Sequence, residues 1–194
     1  MRANPQRSEK TSGRAPGAAP RPTPEAAEPP QYLTFMLERE TFAIGILAIK
    51  EIIEYSALTV VPMMPECIRG VINLRGAVVP VMDLAARFGR EAAKVSKRTC
   101  IVIVEIDAAD QRQEVGIMVD AVNEVLDIAA ADIEPPPTFG TRIRPEFIQG
   151  LGKINGKFVI LLDVNHVFSS ADLAALSALE ADAPPARRPP ASST

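Results

Sequence analysis

The chain states one pattern twice, and that repetition limits its architecture more than any other feature. From Gly70 it runs Gly-Val-Ile-Asn-Leu-Arg-Gly-Ala-Val-Val-Pro-Val-Met-Asp, and from Gly150 it runs Gly-Leu-Gly-Lys-Ile-Asn-Gly-Lys-Phe-Val-Ile-Leu-Leu-Asp. Gly70, Gly76 and Asp83 therefore superpose on Gly150, Gly156 and Asp163. Upstream, the run from Phe42 to Glu54 matches the run from Val115 to Asp127, which sets Glu51 over Glu124. Each copy is too small to bury a full core alone, so the two must pack against each other.

Tyr32 to Leu37 and Cys100 to Ile106 are short and rich in aliphatic and β-branched residues, and they read as the opening strand of each copy. The paired-glycine blocks read as hairpins. Asn155-Gly156 is the preferred two-residue turn for positive φ. Asp83 and Asp163 stand before short Ala/Leu-containing or polar stretches and read as helix N-caps. Leu173, Leu176 and Leu179 recur at helical spacing behind a Ser/Asp start, which predicts a C-terminal helix over about 170–182. Short strands with Gly and Pro between them predict an all-β fold with short helices, built as two small closed barrels packed together. The subdomain boundaries fall at about 31–97 and 98–168.

The first thirty residues hold seven of the eighteen prolines and no large aliphatic residue after Met1. Such a stretch cannot bury enough apolar surface to offset ordering entropy, so residues 1–30 read as a disordered Pro-rich tail, as do residues 183–194. Residues 31–182 form the folded part. They carry fourteen Lys and Arg against twenty-one Asp and Glu. That acidic balance argues against binding a phosphate backbone, and the lack of tryptophan argues against base stacking, so no nucleic-acid partner is expected. No apolar run reaches the eighteen or more residues of a membrane span, so no membrane insertion is expected. The expected compartment is the cytoplasm. Cys67 and Cys100 lack the spacing of a metal or redox motif.

His166 is the only histidine, so no histidine-based metal cluster can be assembled, and no cofactor or metal is expected. No nucleophile elbow, phosphate-binding glycine loop or dinucleotide fingerprint is present. Asp83 and Asp163 could be imagined as an acid/base pair, but equivalent places in a duplicated unit point to matched helix caps. A small β-barrel enzyme using Asp83, Asp120 and Asp163 with a metal is the rival reading from another class.

Two features exceed what folding asks for. Where the second copy turns on Asn155-Gly156, the first turns on Arg75-Gly76, although arginine has no special tolerance for that geometry; a solvated charge at a loop tip accounts for it as well as a partner contact does. The second is the run Ile46-Leu-Ala-Ile-Lys-Glu-Ile-Ile-Glu54. Read as a strand, it is apolar on both faces, so its outer face needs a cover, from the other copy or from a partner. Helical spacing of Ile46, Ile49 and Ile53 fits the run as well.

At these residues the sequence resembles CheW, the coupling-protein family of bacterial chemotaxis. The most specific stretch is Ile68-Arg-Gly-Val-Ile-Asn-Leu-Arg-Gly-Ala-Val-Val-Pro-Val-Met-Asp-Leu84, supported by Val115-Gly-Ile-Met-Val-Asp120 and Gly150-Leu-Gly152, within a match over about 31–180. The resemblance implies two tandem SH3-like five-stranded β-barrels and a non-enzymatic adaptor. Its implied partners are the cytoplasmic tip of chemoreceptors and the regulatory domain of the histidine kinase CheA, with possible assembly into membrane-bound receptor arrays. Carried over by position, Ile49 and Glu51 lie on the strand implied in partner contact, and Gly70, Arg75 and Gly76 lie in the box implied in coupling. Neither a receiver segment after residue 182 nor a kinase segment before residue 31 is expected. The proline-rich N-terminus departs from the compact family pattern.

Overall fold

The computed structural model describes residues 28–108, 111–137 and 143–168. The helix expected at about 170–182 and the 183–194 tail lie outside the described residues, as does nearly all of the 1–30 tail. Among the described residues, eleven strands and two single-turn helices follow one another: β1 (Gln31–Leu37), β2 (Glu40–Gly45), β3 (Ile49–Glu54), β4 (Ile68–Leu74), β5 (Ala77–Asp83), α1 (Leu84–Arg87), β6 (Cys100–Ala108), β7 (Gln111–Val119), β8 (Ala121–Asp127), β9 (Ile133–Glu134), β10 (Ile148–Ile154), β11 (Lys157–Leu162) and α2 (Val164–Val167). The fold is all-β with short helices, in two sheets that correspond to two SH3-like barrels packed side by side.

One sheet runs β8-β1-β2-β11-β10-β9 and the other β3-β6-β7-β5-β4. The repeat boundary near residue 97 is therefore not a boundary between sheets. Each copy lends its first hairpin to the other: β1 and β2 enter the sheet of the second copy, and β6 and β7 enter the sheet of the first. The junctions match. Parallel pairing joins β2 to β11 through Phe42 and Ile160, and joins β7 to β5 through Gly116 and Val81. Antiparallel pairing joins β1 to β8 and β6 to β3.

Three cores follow from this exchange. Ile72, Val79, Val81, Ile101, Ile103 and Met118 fill one barrel. Tyr32, Ala43, Ile128, Val159 and Leu161 fill the other. The largest core lies between the sheets and draws on both copies, with Phe35, Phe42, Phe88 and Phe147 in successive ring contact at centroid distances of 6.0, 5.8 and 6.0 Å. Arg87 of α1 ties the copies at this point. Its Nε donates to the Val167 carbonyl of α2 at 2.6 Å, and its guanidinium lies 5.2 Å from the Phe147 ring centroid.

The Asp83 carboxylate accepts from the Ala85 and Ala86 amides and caps α1, and Asp163 does the same for α2 through Asn165 and His166. The two differ in burial. Asp83 is fully buried, also accepts from the Ala93 amide at 2.9 Å, and lies 3.7 Å from Arg69. Asp163 is partly exposed and lies 2.9 Å from His166 Nδ1. Asp120, the third carboxylate of the rival reading, accepts from the Glu38 amide. Each of the three carboxylates thus answers a local backbone need.

The Ile46–Leu47–Ala48 part of the doubly apolar run is not strand. It forms a 3-10 turn, and the strand begins at Ile49. This turn carries the chain from one sheet to the other, so the alternation expected of a strand is broken there.

Candidate partner-binding site

The site is built on β3, the edge strand of its sheet, and on the β4–β5 hairpin at the opposite end of the same sheet. The hairpin turn is Arg75-Gly76, with φ of +52° and +92°, and its twin Asn155-Gly156 has +49° and +77°. Two successive positive φ values define the turn type that matches strand twist. The Asn73 side chain secures it by accepting from the Gly76 amide at 2.9 Å. An L-residue with a bulky side chain pays about 1–2 kcal/mol in this region, so Arg75 is held against its own backbone preference.

What Arg75 gains is a partner. Its Nη2 lies 2.9 Å from Glu51 Oε2, across the seam between the two ends of the sheet. Glu51 and Arg75 are 24 residues apart in sequence, and the fold makes them neighbours. The arginine side chain stays 79% exposed, so the pair contributes only about 0–1 kcal/mol to stability. Its geometry presents a fixed polar anchor at the surface.

Gly70 supports the hairpin from below. β4 bulges between Ile68 and Gly70, where φ is +149°, and a Cβ there would run into the Thr59 carbonyl oxygen, because Thr59 bridges to Val71. The twin Gly150 sits at the equivalent bulge, where a Cβ would lie 2.8 Å from the Glu134 oxygen. Ile49 is placed differently. It packs partly buried against the core between the sheets, behind the surface that Glu51 and Arg75 share.

Several exposed residues near these elements carry no signal that separates them from core positions in the sequence. Leu47, at the tip of the 3-10 turn, is 99% exposed, and Ile52 on β3 is 43% exposed. Val60 and Met63 on the β3–β4 connection are exposed as well. Leu47 borders a cleft of about 970 Å³ whose apolar wall includes Tyr32, Ile44, Ile46, Leu162 and Val164. Lys50 pairs with Glu105 of β6 at 2.6 Å, and Arg112 reaches the same carboxylate at 3.1 Å. The Lys50 hydrogen bond, aided by the charges of Lys50 and Arg112, holds the Glu105 carboxyl below the usual glutamate value. Among the described residues, no group of three or more His, Cys, Asp and Glu side chains converges to hold a metal ion.

The paired hairpins, the two matched caps and the box from Ile68 to Leu84 can now be set beside known proteins. The family model described as the CheW-like domain matches residues 31–172. The chain belongs to the CheW family. The chemotaxis protein CheW of Klebsiella aerogenes is 33% identical over 144 residues, covering 74% of this chain and 84% of the relative. That of Rhizobium meliloti is 32% identical over 142 residues, covering 73% and 89%. The crystal structure of the scaffolding protein TtCheW from Thermoanaerobacter tengcongensis superposes with a TM-score of 0.67 at 37% identity, over 74% of this chain and 95% of that one. As a member of the CheW family, the chain has a scaffold role in chemotaxis signalling. No helix among the described residues is long and apolar enough to cross a membrane.

Proposed function

We propose that this CheW-family protein couples the cytoplasmic tips of chemoreceptors to the regulatory domain of the histidine kinase CheA, without catalysing a reaction of its own. The observation that carries the reading is the Arg75–Glu51 pair. An exposed ion pair on a conformationally costly turn adds little to folding, so its value lies in what it presents to a partner. Receptor tips are helical, and such a surface suits them: aliphatic residues meet a helix face while a charged group fixes its register. Glu51, Gly70, Arg75 and Gly76 form the contact region, with Ile49 holding β3 to the core behind it. The protein works in the cytoplasm at membrane-bound receptor arrays, where several modest interfaces act together and give persistence without high affinity at any one.

The test is capture of receptor-tip fragments and of the kinase regulatory domain by wild type and by Arg75→Glu. The reading expects a loss of at least about tenfold in affinity for one of the two, since a central charged anchor is worth more than 1 kcal/mol in an interface. Unchanged binding of both would remove the site.

A further inference from the structure

Leu47 stands almost fully exposed at the tip of the turn between the sheets, on the border of the cleft of about 970 Å³. The charged lining of that cleft has one sign. Glu28, Asp127 and Asp163 line it, with no Lys or Arg among the described residues around it. Asp163 is committed to capping α2 and to His166, so Glu28 and Asp127 give the cleft its negative potential. Asp127 accepts from the Gln31 side-chain amide at 2.9 Å, a neutral donor that does not cancel its charge.

We propose that the basic, proline-rich segment 1–27 of this same chain folds back into the cleft and covers Leu47. Position, charge and composition select this occupant. Glu28 is the first described residue and lines the cleft, so the segment starts at its mouth. It carries Arg2, Arg7, Lys10, Arg14 and Arg21 against Glu9 and Glu25, a net positive charge that complements the acids. The leucine-bearing segment 169–182 has Asp172, Glu180 and Asp182 with no Lys or Arg, and the same acids repel it. Ten extended residues span about 33 Å. The stretch 18–27 is therefore long enough to leave the cleft and, with Gly17 to reverse the chain, to bring Arg14, Lys10 and Arg7 back to it. Proline has its φ fixed before docking, so laying Pro and Ala against an apolar wall costs less ordering entropy than an ordinary segment would. The covalent tether supplies an effective concentration of the order of millimolar, so a contact too weak to hold between separate molecules persists here. The segment thus competes with any other ligand for Leu47, and the inference does not depend on the adaptor reading.

The test is paramagnetic broadening in the full chain, with a nitroxide on Ala3→Cys in a Cys100→Ser background, where the buried Cys67 stays unlabelled. The Leu47 and Asn165 amide signals are expected to lose intensity at low salt and to recover it in about 0.5 M NaCl, because screening weakens an exposed charge contact. Reversing the segment with Arg7→Glu, Lys10→Glu and Arg14→Glu abolishes the loss, and so does reversing the cleft with Glu28→Lys and Asp127→Lys. Combining both sets restores it, since opposite charges again face each other. The segment variant changes no described residue and carries the test alone if the cleft variant lowers the melting temperature. Four results overturn the proposal: equal broadening in wild type and the segment variant, broadening indifferent to salt, no recovery in the combined variant, or broadening by a label on Ser193→Cys and not by the one on Ala3→Cys, which would seat the other end of the chain in the cleft.

Discussion

Arg75 reaches from the β4–β5 turn to Glu51 on β3, Nη2 to Oε2 at 2.9 Å, and bridges the two outermost strands of one sheet. Its counterpart in the second copy, Asn155, occupies the same backbone conformation at φ +49° with a residue suited to it. The two turns therefore separate what folding needs from what the surface presents.

Arg75→Asn copies the second turn into the first. The relief of backbone cost outweighs the loss of an exposed ion pair, so stability rises by about 0.5 kcal/mol while partner capture falls. Urea unfolding and pull-down on the same preparations check both halves. A stability loss would mean that the pair matters more to the fold than to the surface.

The charge-swapped double variant Glu51→Arg with Arg75→Glu rebuilds the pair with its ends exchanged. If the pair acts only to position the hairpin, binding returns to the wild-type level in the double variant. If Arg75 touches the partner directly, binding stays as low as in Arg75→Glu alone. Titration calorimetry with a receptor-tip fragment distinguishes the two.

Gly70→Ala and Gly150→Ala place a methyl group against backbone on the neighbouring segment. Gly70 also has a φ of +149°, whereas Gly150 lies outside the left-handed region. Gly70→Ala is expected to cost about 3 kcal/mol or more and Gly150→Ala about 1–3 kcal/mol, measured as a shift in the denaturation midpoint. Equal costs would show that the local backbone relaxes at Gly70.

Asp83→Ala leaves three amides without their acceptor in a buried place and is expected to cost about 3 kcal/mol or more. Asp163→Ala removes a partly exposed cap and costs about 1 kcal/mol. Thermal unfolding of both variants checks the order.

Glu105 titrates below the usual glutamate value, because Lys50 and Arg112 favour its ionised form. The folded state thus binds this proton less readily than the unfolded chain. The pairing contributes fully above the unfolded value of about 4.3 and is lost as pH falls through the lower folded value. In an NMR titration, Lys50→Met moves the Glu105 midpoint upward. No movement would mean that the two side chains do not pair in solution.

Much of this was legible in the sequence where the cause is local. The turns at Arg75 and Asn155, the caps at Asp83 and Asp163 and the opening strands at Tyr32 and Cys100 all follow from residues a few positions apart. The exchange of hairpins was not legible, because β2 meets β11 through Phe42 and Ile160, residues 118 apart, and an alternating apolar pattern does not say which copy it will pair with. The turn at Ile46–Ala48 was missed for a related reason. A run apolar on both faces fits strand and helix alike, and the change of sheet that breaks it is a tertiary event. Glu51 and Arg75 were each marked in the sequence, but nothing there set one against the other.

The lent hairpins mean that neither repeat is a molecule in its own right. A polypeptide severed in the exposed stretch between Gly89 and Lys97 yields two fragments, each missing two strands of its own sheet and each carrying the two that the other lacks. Such halves are obligate complements.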